Sequence, residues 1–210
     1  MRLRGRGITL IEVLVSLSLV SIVTLMLLAL FVPSMSLFRR QTGKSDSYRG
    51  CLMLLEKFRV GLMNSQMETV TISPTGHAIS WQMIEDDPPF SASTGDALMS
   101  PEFAVLYYKE DEKRVYYKLY NSGSSGPPDQ PSFLSLSDLN TAIGSPSNKT
   151  YVIGRNITEF RITDKDGDVT LLEPPLTLTI KSEIDTEHIG NNDSESFRVQ
   201  ASVTPRSMRW

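Results

Sequence analysis

One cysteine in 210 residues, Cys51, excludes an internal disulfide, and two histidines, His77 and His188, are too few and too far apart to form a metal site. The chain has no glycine-rich phosphate loop, no nucleophile elbow and no metal-binding cysteine pair, so the residue patterns that carry catalysis are missing. Basic residues do not predominate: 21 Lys and Arg stand against 24 Asp and Glu, for a net charge of −3. Nothing in that balance advertises a nucleic-acid partner. No cofactor is expected, and the chain does not read as an enzyme.

The most informative absence is local. From Ile8 to Val32 the only charge is Glu12, and Val13 to Val32 is a run of 20 apolar, Ser and Thr residues. At about 1.5 Å per helical residue this run spans roughly 30 Å, the hydrocarbon thickness of a bilayer. Arg2, Arg4 and Arg6 precede it without an acidic residue, which predicts a cytoplasmic N-terminus and an exported C-terminal portion. Arg39 and Arg40 on the far side weaken that bias without reversing it. A cleaved secretory signal fits poorly, because the apolar run is too long and Val32-Pro33-Ser34 supplies no small-x-small site.

Glu12 needs a reason to be where it is. A carboxylate in the hydrocarbon is disfavoured by roughly 2.5 to 3.5 kcal/mol, less near the interface, and such groups are usually paired. An α-amine placed about 4 Å away at an effective dielectric near 20 would return roughly 4 kcal/mol. The run Arg6-Gly7-Ile8-Thr9-Leu10-Ile11-Glu12-Val13-Leu14-Val15 closely resembles the class III leader junction of type IV pilins and of type II secretion pseudopilins. That resemblance implies cleavage between Gly7 and Ile8 by a prepilin peptidase, N-methylation of Ile8, and a role for Glu12 in subunit assembly. It also supplies the missing partner, since cutting creates an amine on Ile8 that is mostly protonated near neutral pH. Helical geometry tends to hold the amine and Glu12 of one chain apart, so the amine of a neighbouring subunit is the better partner. Ile8 departs from the Phe most often found at the start of the mature chain, which slightly favours a minor subunit.

Pro33 follows the apolar run and is expected to kink a helix that then continues. Tyr48, Cys51 or Leu52, Leu55, Phe58 and Leu62 recur every three or four residues and predict a stripe that docks on a globular domain. Cys51 reads as a small packed residue on that stripe. From Met67 the period becomes two, with strands expected around Val70–Ile72, Ile79–Met83, Phe103–Tyr108, Val115–Tyr120, Tyr151–Ile153, Ile157–Ile162, Val169–Leu172, Leu176–Ile180 and Phe197–Val203. A short helix is expected near Leu136 to Ala142, and Asn121 to Pro131 reads as a surface loop.

The fold class is therefore α+β and pilin-like: a long N-terminal helix, half transmembrane and half amphipathic, packed on a mainly antiparallel β-sheet domain. The expected divisions are a leader over 1–7, a transmembrane helix over 8–32, its continuation over 33–64, and a β-rich extracytoplasmic domain over 65–210. The wider pattern resembles minor pilins of the PilW type and the J-type minor pseudopilin of type II secretion. By resemblance the partners are prepilin peptidase, other pilins or pseudopilins, an inner-membrane assembly platform and the membrane itself. Loss of residues 1–7 removes three of the 21 basic residues, leaving 18 against 24 acidic and a formal charge of −6.

Two readings stay open at this stage. One is a pilus or pseudopilus subunit, anchored in the inner membrane with its C-terminal domain periplasmic and then carried into a filament. The other is a single-pass anchored binding or sensor domain that never assembles. Asp164, Asp166 and Asp168 place oxygen ligands at alternate positions, as calcium prefers, but the Asp166-Gly167 pair also suits a hairpin turn, which is the favoured reading.

Overall fold

The structure is a computed structural model that describes residues 9–84, 98–121, 123, 131–146, 149–167, 173–184 and 195–205. Gly7, Ile8, Asp168, His188, the strand expected over Val169–Leu172 and most of the loop expected over Asn121 to Pro131 lie outside those residues. The chain divides into two compact units, residues 1–44 and 45–210.

The first unit is one stretch of helix. Helix α1 runs over Leu10–Met63, 54 residues, and passes through Pro33 without a break in helical assignment. Its described side chains up to Phe38 are solvent-exposed, Leu14, Leu17, Val20, Leu27 and Phe31 among them. Polar side chains in this apolar stretch satisfy themselves. The hydroxyls of Ser16, Ser18, Ser21, Thr24 and Ser34 donate to the carbonyls four residues earlier at 2.6 to 2.8 Å. No hydroxyl in that group demands water, which is the condition for a helix to enter lipid.

The second unit begins at Ser45, still within α1. Cys51, Leu54, Phe58 and Leu62 are fully buried, whereas Tyr48 and Leu52 are exposed and Leu55 is partly buried. The buried stripe is thus centred on Leu54 rather than on Leu55. Cys51-Leu52-Met53-Leu54-Leu55 is apolar at five successive positions, so periodicity alone leaves the phase of the helix free and packing fixes it.

Two antiparallel sheets follow. A five-stranded sheet is ordered β1 (Thr71–Ile72), β2 (Ala78–Ile84), β3 (Met99–Lys109), β4 (Arg114–Asn121) and β5 (Thr150–Arg155). A three-stranded sheet holds β6 (Ile157–Thr163), β7 (Leu176–Ile184) and β8 (Glu195–Val203). The mainly antiparallel β domain expected from the sequence is present, with its strands divided between two sheets. The helix expected near Leu136 is α2, Leu136–Gly144, capped by Ser135, whose hydroxyl accepts from the Asp138 amide at 3.1 Å.

Alternation along β3 explains the layering. Ala104 and Leu106 join the core that holds Cys51, Leu54, Phe58 and Leu62 of α1 together with Phe160, Ile162, Leu178 and Ile180 of the smaller sheet. Phe103, Val105 and Tyr107 point to the opposite face and pack with Leu134, Leu139 and Ala142 of the α2 region. The larger sheet is therefore covered on both faces, which is why β3 reads as a nearly continuous apolar run.

Two turns tie the sheets together. The Gly76 carbonyl accepts from the Ile162 amide at 2.9 Å and the Lys113 carbonyl from the Ile157 amide at 3.0 Å. Gly76 has φ +71, and a Cβ there would meet the Ile162 carbonyl oxygen at 2.7 Å, so both its backbone and its surroundings demand glycine.

Candidate processing and assembly site

The site is the start of α1. Leu10 is the first helical residue, and the Thr9 carbonyl accepts from the Glu12 amide at 3.0 Å and the Val13 amide at 3.3 Å. The Glu12 carboxylate folds back over the helix end. Its Oε2 accepts from the Thr9 backbone N–H at 3.4 Å and lies 3.5 Å from the Thr9 hydroxyl, which donates to it. The spacing Thr-x-x-Glu is that of a capping box, here realised in the half that runs from the glutamate back to the capping residue. A carboxylate in the first turn also meets the positive end of the helix dipole. Thr9 as the partner of Glu12 is not among the sequence expectations, although the Thr9-x-x-Glu12 spacing is there to be read.

Around this polar turn the surface is apolar and open. Leu10, Ile11 and Val13 are all exposed, and the apolar stretch of α1 behind them is not buried in the molecule. By length and composition it is able to cross a membrane. Gly7 and Ile8 lie immediately before the described residues, one step from the Thr9 cap.

Residues 2–28 match the family model described as the prokaryotic N-terminal methylation motif. This decides the nature of the N-terminus. The motif, a class III prepilin leader, is that of type IV pilins and pseudopilins, and it spans Gly7, Ile8, Thr9, Glu12 and much of the apolar run. It implies a processed pilin or pseudopilin, cut by a prepilin peptidase and assembled with other pilins, members of a family that is generally structural rather than enzymatic. The exposed apolar helix behind the motif is consistent with a membrane-anchored prepilin. No curated protein and no solved structure matches the chain.

The other candidate residues fall into place around the core. Asp164 is buried, and its Oδ1 accepts from the Asp166 amide at 3.0 Å while its carbonyl accepts from the Gly167 amide at 3.3 Å, with Gly167 at φ +82. The carboxylate is turned onto its own loop, and Asp166 is exposed. Lys165 forms an ion pair with Glu173, and the hydrogen bond that its ammonium donates to the Glu173 carboxylate holds the Lys165 pKa above its usual range. Among the described residues no group of three His, Cys, Asp or Glu side chains is arranged to hold a metal ion. His77 stacks edge-on against Tyr108 with ring centroids 5.7 Å apart. Burial pushes the Cys51 thiol up to about 11.

No sequence pattern marks Lys118 for its role. This β4 residue is fully buried, and its ammonium donates to the Ala142 and Ser145 carbonyls and to the Ser145 hydroxyl at 3.0 Å, at the C-terminus of α2. Desolvation lowers its pKa. A cation at a helix C-terminus meets unsatisfied carbonyls and the negative dipole end, so Lys118 clamps α2 onto the sheet.

Proposed function

We propose that this chain is a minor pilin or pseudopilin subunit, cleaved between Gly7 and Ile8, methylated on Ile8, and assembled at the tip or in the shaft of a type IV pilus or a type II secretion pseudopilus. The observation that carries this reading is the methylation motif over residues 2–28, set on an exposed apolar helix that continues into an antiparallel β domain. In this reading residues 1–7 are the leader, 8–32 cross the inner membrane from a cytoplasmic N-terminus, 33–64 continue the helix, and 65–210 form the exported domain. Glu12 exchanges its local contact with Thr9 for the charged amine of a neighbouring subunit during assembly. The helix-capping contact is long, 3.4 to 3.5 Å, and so is weak enough to be given up for a charged partner.

The same Thr9–Glu12 contact favours a second reading, an anchored domain in which Glu12 only caps its own helix. Mass spectrometry of the native N-terminus separates the two. A subunit of the proposed kind lacks residues 1–7 and carries a methyl group on Ile8. A chain isolated with Met1 intact, and unaffected in its partners by Glu12→Ala, would establish the anchored domain instead.

A further inference from the structure

Helical continuity converts residue counts along α1 into distances, and one distance stands out. Glu12 and Arg39 are separated by 26 uncharged residues, Val13 to Phe38, all within one helix. At about 1.5 Å per residue the two charges lie about 40 Å apart along the axis. That is longer than the hydrocarbon core, about 30 Å, but it matches the whole bilayer with its headgroup layers, about 40 to 45 Å. A tilt near 20° shortens the span only to about 38 Å.

We infer that the membrane-inserted form of this chain is pinned at both faces of the bilayer, with Glu12 in one headgroup layer and the adjacent Arg39 and Arg40 in the other, where the arginines engage lipid phosphates. This rests on the membrane-anchored reading given above and moves the spanning segment from 8–32 to the stretch between Glu12 and Arg39. The apolar surface continues to the arginines themselves: Met35, Leu37 and Phe38 are exposed, and Arg39 follows, also exposed. The Arg39 guanidinium at that level suits phosphate oxygens, which it binds in bidentate fashion and at a depth where long basic side chains reach the interface, and Arg40 next to it in sequence adds a second positive charge. The contact assigns a task to the residues that run against the charge bias of the leader, Arg39 and Arg40. It also removes most of the cost of Glu12, which stands at the interface in the inserted state and enters an apolar environment only when a neighbouring amine is there to meet it.

The test is the depth of the helix in vesicles of phosphatidylethanolamine and phosphatidylglycerol. Full-length protein in a Cys51→Ser background carries a single nitroxide at Ser34→Cys or at Thr24→Cys, and accessibility to oxygen and to a water-soluble relaxant reports depth. With both arginines present, the Thr24 label reads as mid-hydrocarbon and the Ser34 label as shallow. Arg39→Gln with Arg40→Gln lets the exported end sink, moving the Ser34 label inward by about one helical turn, about 5 Å, while Arg39→Lys with Arg40→Lys holds it. An unchanged Ser34 depth in the glutamine variant, with Thr24 still in hydrocarbon, overturns the phosphate contact alone. A Thr24 label exposed to water in the unsubstituted chain overturns the membrane reading on which it rests.

Discussion

At the scale of single residues, Glu12 is placed to act twice. In the isolated chain it caps the first turn of α1 through Thr9, and in the assembly proposed above it would meet an incoming amine. Glu12→Gln keeps part of the cap but removes the charge, whereas Glu12→Ala removes both. If recruitment depends on the charge, both variants insert normally and both fail to co-purify with partner pilins. Recruitment by the glutamine form at the level of the unsubstituted chain would show that the cap alone matters. Cys51 gives a second residue-level expectation. The thiol is fully buried and its pKa is raised to about 11 from an ordinary 9.0, so the folded state keeps the proton that the unfolded chain loses. Its contribution to stability is complete below about pH 9 and is lost as pH rises through about 11. Denaturant melts across that window should show a fall that is shallower in Cys51→Ala. Native protein should likewise resist alkylation until it unfolds.

At the scale of elements, two contacts decide how helices meet sheets. Gly61 of α1 lies against the Trp81 indole of β2, and a Cβ at position 61 would come within 2.4 Å of the ring. Trp81 is buried, so the ring has little room to withdraw. Gly61→Ala should therefore destabilise the domain by about 1 to 3 kcal/mol despite the better helix propensity of alanine. Urea unfolding measures this directly, and a neutral or stabilising result would mean that α1 and β2 sit further apart than described. The α2 clamp is the other contact. Lys118→Met keeps the stem but removes the ammonium donor from the Ser145 carbonyl and leaves the Ala142 carbonyl only the Ser145 hydroxyl, a loss of about 1 to 3 kcal/mol. Hydrogen exchange should locate that loss in α2 and β4, leaving the α1 side of the sheet protected. Uniform loss of protection would instead make Lys118 part of the central core.

At the scale of the whole molecule, the chain joins a unit whose apolar side chains are open to its surroundings to a unit that buries its own core. Among the described residues of the first unit none is buried, and an apolar surface of that extent suits a lipid or subunit environment. Residues 45–210, expressed without the preceding helix, should remain folded and soluble, because Cys51, Leu54, Phe58 and Leu62 travel with the sheets they fill. A cooperative thermal transition for that fragment checks this, and its absence would show that the apolar half of α1 contributes to the fold of the domain.

The N-terminal features of this protein can be read from residue order alone. The leader junction, the apolar run and Glu12 are legible because membrane insertion and peptidase recognition act on local order along the chain, which sequence displays directly. Most strands and α2 were legible too, since alternation and turn residues are also local. Tertiary structure alone decided which face of α1 is buried, because five successive apolar residues from Cys51 to Leu55 leave the helical phase open. It likewise decided the division of strands into two sheets joined at Gly76 and Lys113, and the burial of Lys118 at the end of α2. Those features depend on contacts between residues tens of positions apart, where packing volume and hydrogen-bond satisfaction, rather than periodicity, choose among arrangements that the local pattern permits equally.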